Sequence, residues 1–229
     1  MPVNWMDVSK CSFNTLLLLE RVQLSWMPGW VPARDMAVAL HGNPKVLWYI
    51  RHKCPDLNGW LDQILSDHAD AEGPEDVRSA EINVLRAIND WVVYALEPSV
   101  YDAQPFLSWD SDELLSLVDF GGKTVVDVGA GTGRLTLLAA ETADTVFAVE
   151  PVENLRRHLK GRAKQLGHPN VFPVDGLITE IPFPNGFADV TMGGHVFGDE
   201  PGPEYREMER VTKPGGMIVL CPGNEDSDS

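Results

Sequence analysis

The chain has 229 residues, 44% hydrophobic and 23% charged. That composition is globular and excludes collagen-like, coiled-coil and disordered classes. Eighteen basic side chains face 34 acidic ones, a net charge of −16, which repels phosphate backbones and anionic membrane surfaces, so no nucleic acid and no membrane partner is expected.

Residues 1–7 lack the basic-then-apolar pattern of a secretory leader. Residues 13–26 read as a leucine-rich helix closed by Pro28-Gly29. Their aliphatic run Leu16-Leu17-Leu18-Leu19 is far short of the roughly 20 residues a membrane span needs. Residues 33–50 read as two short helices interrupted at Gly42-Asn43-Pro44. Further helices are expected over 57–68 and 75–96, the latter from Val77, Val84, Leu85, Ile88, Trp91, Val92 and Ala95 at helical spacing. Asp110-Ser111-Asp112-Glu113 before Leu114-Leu115 marks another helix start. Residues 56–119 hold 15 acidic and two basic side chains, which reads as a solvated helical face.

After Gly121-Gly122 the period changes. Strands are expected at 124–128, 145–149, 170–174, 187–192 and 217–221, with helices at 135–141, 152–165 and 204–211. Strands alternating with helices indicate an α/β fold with a mostly parallel sheet. Residues 1–119 therefore read as a helical N-terminal region and 120–229 as a sheet domain. Cys11, Cys54 and Cys221 are odd in number and far apart, so no disulfide framework is expected and a reduced, cytoplasmic setting fits. His52-Lys53-Cys54 has no second cluster to complete a metal site, so no metal is expected. The acidic tail 224–229 is the sole low-complexity stretch.

The strongest local signal is Asp127-Val128-Gly129-Ala130-Gly131-Thr132-Gly133-Arg134, a strand running through a glycine-rich turn into a helix. Such a turn brings ligand close to the backbone and aims helix N–H groups at it. A dinucleotide fingerprint needs its third glycine at position 134, which is Arg. Gly122-Lys123-Thr124 precedes the strand and lacks the earlier glycine of a phosphate-binding loop.

This run resembles motif I of the class I S-adenosylmethionine-dependent methyltransferases, with their Rossmann-like sheet and flanking helices. Val149-Glu150-Pro151, Val174-Asp175-Gly176, 187–192 and 210–216 are similar to the motifs that follow, in order. The resemblance implies S-adenosylmethionine as cofactor and methyl transfer to a small-molecule acceptor. A non-catalytic cofactor-binding module and a protein methyltransferase are its alternatives. It implies that Gly129, Ala130, Gly131, Thr132 and Gly133 face the methionine and ribose, and that Asp127 holds the amino group and the loop. Glu150 would take the ribose hydroxyls, Pro151 would cover the adenine, and Asp175 and Gly176 would bind its edge. Gly193 lies near the methyl group, and His195 is a candidate proton acceptor. Tyr101-Asp102 sits where some relatives place a pair closing over the cofactor. Relatives carry seven strands, so strands six and seven are expected to be missing. Either the chain is truncated, or the N-terminal helices or a partner subunit, as in a homodimer, cover the fifth strand's edge.

Overall fold

The computed structural model describes residues 4–68, 73–104 and 111–221. Asp110 and the tail 224–229 lie outside the described residues. The chain divides into two compact units, Met1–Tyr101 and Asp102–Ser229.

The first unit is helical: α1 (Arg21–Ser25), α2 (Ala33–Gly42), α3 (Pro44–Lys53), α4 (Asn58–Asp67), α5 (Pro74–Ala87), α6 (Asn89–Leu96) and the first residues of α7 (Pro98–Asp102). Its core is aliphatic, with Leu16, Leu24, Met36, Leu40, Ile50, Leu61 and Leu85 fully buried. Two expected helices are broken, each for a local reason. Residues 13–26 split into a 3-10 turn, Phe13–Leu18, and α1, because Leu19 and Glu20 are extended. Glu20 then restarts the helix through a reciprocal capping box with Gln23. Residues 75–96 split at Ile88 (φ −119°, ψ 36°). The break lies beside buried Asn89, whose Oδ1 accepts from the N–H groups of Trp5 and Met6 and whose amide donates to Met6 O. Those bonds offset the cost of burying the amide.

The second unit holds a five-stranded all-parallel sheet, ordered β3-β2-β1-β4-β5. Its strands are β1 (Thr124–Val128), β2 (Thr145–Val149), β3 (Val171–Val174), β4 (Ala188–Gly194) and β5 (Thr212–Cys221). The helices are α8 (Ser111–Leu117), α9 (Arg134–Ala140), α10 (Glu153–Leu166) and α11 (Pro201–Val211). This is the parallel α/β sheet expected from the alternating periods, in the Rossmann-like form that the resemblance implies. Val125, Val126, Asp127 and Val128 are all buried, because β1 is covered on both faces, as parallel interior strands are. Leu135, Leu137, Leu159 and Ala163 pack with Val125 and Met192 on one face, while Val126, Val128, Ile181, Met208 and Val211 form the other cluster.

Two strands run longer than expected. β4 extends through Gly193 and Gly194, and β5 begins at Thr212, with a register shift between Ala188 and Val190. The crossover from β3 to β4 has no helix. Side chains secure it instead. Arg210 of α11 donates through Nη2 to Ile181 O (2.9 Å) and through Nη1 to Phe183 O (2.7 Å). Its partner Glu207 accepts the Ile181 N–H at 2.9 Å. The pair thus satisfies both backbone groups of Ile181, as a neighbouring strand would. The Arg210 guanidinium holds the Glu207 carboxyl below the usual carboxylate range. Replacing Arg210 by Ala leaves two carbonyls without this donor and should cost about 1–3 kcal/mol in urea unfolding followed by circular dichroism. Arg210→Lys should recover less than half of that, since an ammonium cannot fork to both carbonyls.

Candidate functional site

In open α/β sheets, ligands bind outside the carboxyl ends of the strands, where the strand order reverses. Here the reversal lies at β1 and its neighbours, β2 on one side and β4 on the other. The glycine loop leaves β1 at this edge. Gly129, Gly131 and Gly133 have φ of 66°, 55° and 91°, values that glycine adopts without steric cost.

The loop is tied to the end of β2. Gly129 and Ala130 both donate their N–H groups to Val149 O, at 2.9 and 3.1 Å. Gly131 donates to Glu150 Oε2 at 2.9 Å, and Val152 donates to Glu150 Oε1 at 2.9 Å. Each carboxylate oxygen therefore already holds one backbone N–H and keeps a further lone pair. The glycines differ in what they face. A Cβ at Gly133 would lie 1.9 Å from Leu159 Cδ1, so that position serves the packing of α10 against the loop. A Cβ at Gly129 would lie 2.4 Å from Val196 Cγ2, and one at Gly193 2.9 Å from Val196 Cγ1. Val196, in the chain leaving β4, thus sits over the bare backbone of both.

Asp127 is 1% exposed. Its Oδ2 accepts from the Thr136 hydroxyl of α9, and its Oδ1 has no hydrogen-bond partner among the described residues. Burial pushes its carboxyl up to about 7, with neighbouring Glu150 adding to the rise and Thr136 opposing it. Burial likewise pushes Glu150 up to about 7, against the stabilising N–H groups of Val152 and Gly131.

Asp175 follows β3 with an exposed side chain, 2.9 Å from Arg156 Nη1, and Arg156 also donates to Glu150 O. Arg156 thereby links the ends of β2 and β3. Pro151 is half-buried beside Glu150. Gly176 lies where a Cβ would meet Pro182 and Val149. His195 is exposed, has a left-handed backbone (φ 54°) and donates its N–H to Cys221 O. The Tyr101-Asp102 pair separates. The Tyr101 ring packs against Trp5 and Tyr94, with centroids 5.6 and 5.2 Å away, while the Asp102 carboxylate accepts from Thr132.

Asp127, the glycine loop, Glu150 and Gly193 are thus gathered at one point, Gly193 pairing with Val128 across β1 and β4. Thr136, Arg156, His158, Arg162 and Val196 were not singled out from sequence. The spacing of His158 and Arg162, four apart on α10 beside the apolar series Leu155, Leu159 and Ala163, was the available signal.

Residues 126–220 match the model of a methyltransferase domain family. A demethylmenaquinone methyltransferase of Geobacillus stearothermophilus is 34% identical over 129 residues, covering 53% of this chain and 54% of the relative. A methyltransferase of Mycobacterium sp. (strain JLS) is 38% identical over 102 residues, covering 44% and 38%. The chain spans about half the length of the curated relatives it matches first. A solved S-adenosylmethionine-dependent methyltransferase from Aquifex aeolicus superposes with a TM-score of 0.50 at 23% identity, over 58% of this chain and 77% of that one.

The buried carboxylates set a pH dependence. Both acids bind protons more tightly folded than unfolded, so their contribution is complete below the unfolded carboxylate range. It is lost as pH rises to about 7. Calorimetric unfolding without ligand should show stability falling between about pH 5 and 7 by roughly 1.4 kcal/mol per pH unit for each group. Asp127→Asn should remove one group's share of that slope.

Proposed function

We propose that this chain, whose residues 126–220 form a class I S-adenosylmethionine-dependent methyltransferase domain, transfers a methyl group from that cofactor to a small-molecule acceptor. The observation that carries the proposal is the buried Asp127 Oδ1, which lacks a partner beside the glycine loop. An orphaned buried acceptor is costly and calls for a donor. The amino group of S-adenosylmethionine has the chemistry to supply one.

The residues present fit the cofactor. Asp127 would accept from the amino group, while Gly129, Ala130, Gly131, Thr132 and Gly133 would offer backbone to the methionine and ribose. Glu150 keeps one lone pair on each oxygen for ribose hydroxyls. Pro151, Asp175 and Gly176 would hold the adenine, with Arg156 orienting Asp175. When bound, S-adenosylmethionine supplies an electrophilic methyl on a sulfonium, so the protein's main service is alignment. Gly193 at the end of β4 would lie near the methyl group, with Val196 packed over it. His195, exposed at the same edge, would take a proton from an acceptor hydroxyl or amine.

The demethylmenaquinone methyltransferase relative supports a small-molecule acceptor. Three free cysteines support a reduced, cytoplasmic setting. No helix among the described residues is long and apolar enough to cross a membrane.

Calorimetric titration of the full chain with S-adenosylmethionine, S-adenosylhomocysteine and NAD tests the cofactor. The two sulfur nucleosides should bind and NAD should not; the reverse would overturn the assignment. Asp127→Asn should weaken S-adenosylhomocysteine by about tenfold or more, roughly 1.4 kcal/mol. With an acceptor in hand, His195→Ala should lower kcat about a hundredfold while leaving cofactor affinity unchanged. Full turnover in that variant would remove His195 from the chemistry.

A further inference from the structure

We infer that Asp102 and Arg162 are positioning residues for the cofactor, acting on the glycine loop through Thr132. The inference rests on the reading of that loop as the cofactor site and adds a second support to it. Thr132 stands between two glycines that both occupy left-handed conformations. Glycine accepts such values but does not enforce them, and ordering it carries a larger entropy cost than ordering any other residue. The conformation of the loop must therefore be held from outside.

Glu150 holds one side, through the Gly131 N–H. Asp102 and Arg162 hold the other. The Thr132 hydroxyl donates to Asp102 Oδ1. Arg162 Nη1 lies 3.0 and 3.1 Å from the two Asp102 oxygens and donates to Thr132 O at 2.9 Å. His158, one turn earlier on α10, places Nε2 3.1 Å from Asp102 Oδ2. Both polar groups of Thr132 outside its N–H are thus engaged by one ion pair. Thr132 is 2% exposed, so water cannot readily replace these bonds. Asp102 and Arg162 are partly exposed, so as a bare surface pair they would contribute little to stability. Their effect should fall on the loop they grip, and so on the affinity of the groups its backbone binds.

The test is calorimetric titration of S-adenosylhomocysteine into the full chain, well below the melting midpoint of every variant. Thr132→Val keeps the volume and removes the hydroxyl; Asp102→Ala removes the carboxylate that accepts from it. Each should weaken binding about tenfold, and Thr132→Ser should recover most of the loss. The double variant should be no more than about twofold weaker than the weaker single one, since both changes break the same bond. A role confined to stability would lower the melting midpoints and leave affinity within about twofold of wild type, which would overturn the inference. Additive losses in the double variant would overturn it as well. Failure of the wild-type chain to bind S-adenosylhomocysteine would remove the cofactor site itself and this inference with it. Normal wild-type binding with unaffected variants would remove this inference alone.

Discussion

The second unit is organised around backbone donors that leave β1 and must find acceptors beyond the sheet. Val149 O takes two of them, from Gly129 and Ala130, and the Glu150 carboxylate takes the third, from Gly131. An unpaired buried N–H costs about as much as a lost hydrogen bond, so the end of β2 is tied to the path of the loop. Glu150 must then be buried, and its burial raises its affinity for a proton. Asp127, two residues before the loop, shares that low-dielectric environment, and Thr136 opposes the rise of its carboxyl through its hydroxyl and its backbone. The demands of the fold thus bury two acidic groups at the carboxyl edge of the sheet.

Much of this was legible in the sequence because the relevant signals are local. The change of period after Gly121-Gly122 marks the sheet, and each strand is a short apolar run bounded by turn residues. The glycine spacing alone, with Arg at position 134, distinguishes this loop from a dinucleotide fingerprint. Asp127 stood out because a carboxylate in an apolar strand needs donors. The structure supplies one from Thr136, nine residues on, while Oδ1 is left without a partner.

What was not legible depends on residues distant in sequence. Nothing near Asp102 indicates that Arg162 and His158 meet it. Tyr101 and Asp102 are adjacent, yet their side chains serve different units, a separation no spacing rule detects. The helix breaks at Leu19-Glu20 and Ile88 involve ordinary residues, and the second lies beside an amide that must reach Trp5 and Met6. Helix propensity carries no information about such a demand. The motif also does not show that the missing Cβ of Gly133 makes room for Leu159.

The helix-free crossover between β3 and β4 has a consequence for synthesis. A chain emerging from the ribosome folds from its N-terminus onward. β1, β2 and β3 can pair in the order in which they appear. At that stage the local bond from the Phe183 N–H to Ile181 O can form, but Glu207 and Arg210, which hold the Ile181 N–H and the Phe183 carbonyl, have yet to be translated. Until α11 emerges, the aromatic face formed by Phe147, Phe183 and Phe187 has no fixed cover. Nascent chains halted between Phe187 and Glu207 are the ones that expose it.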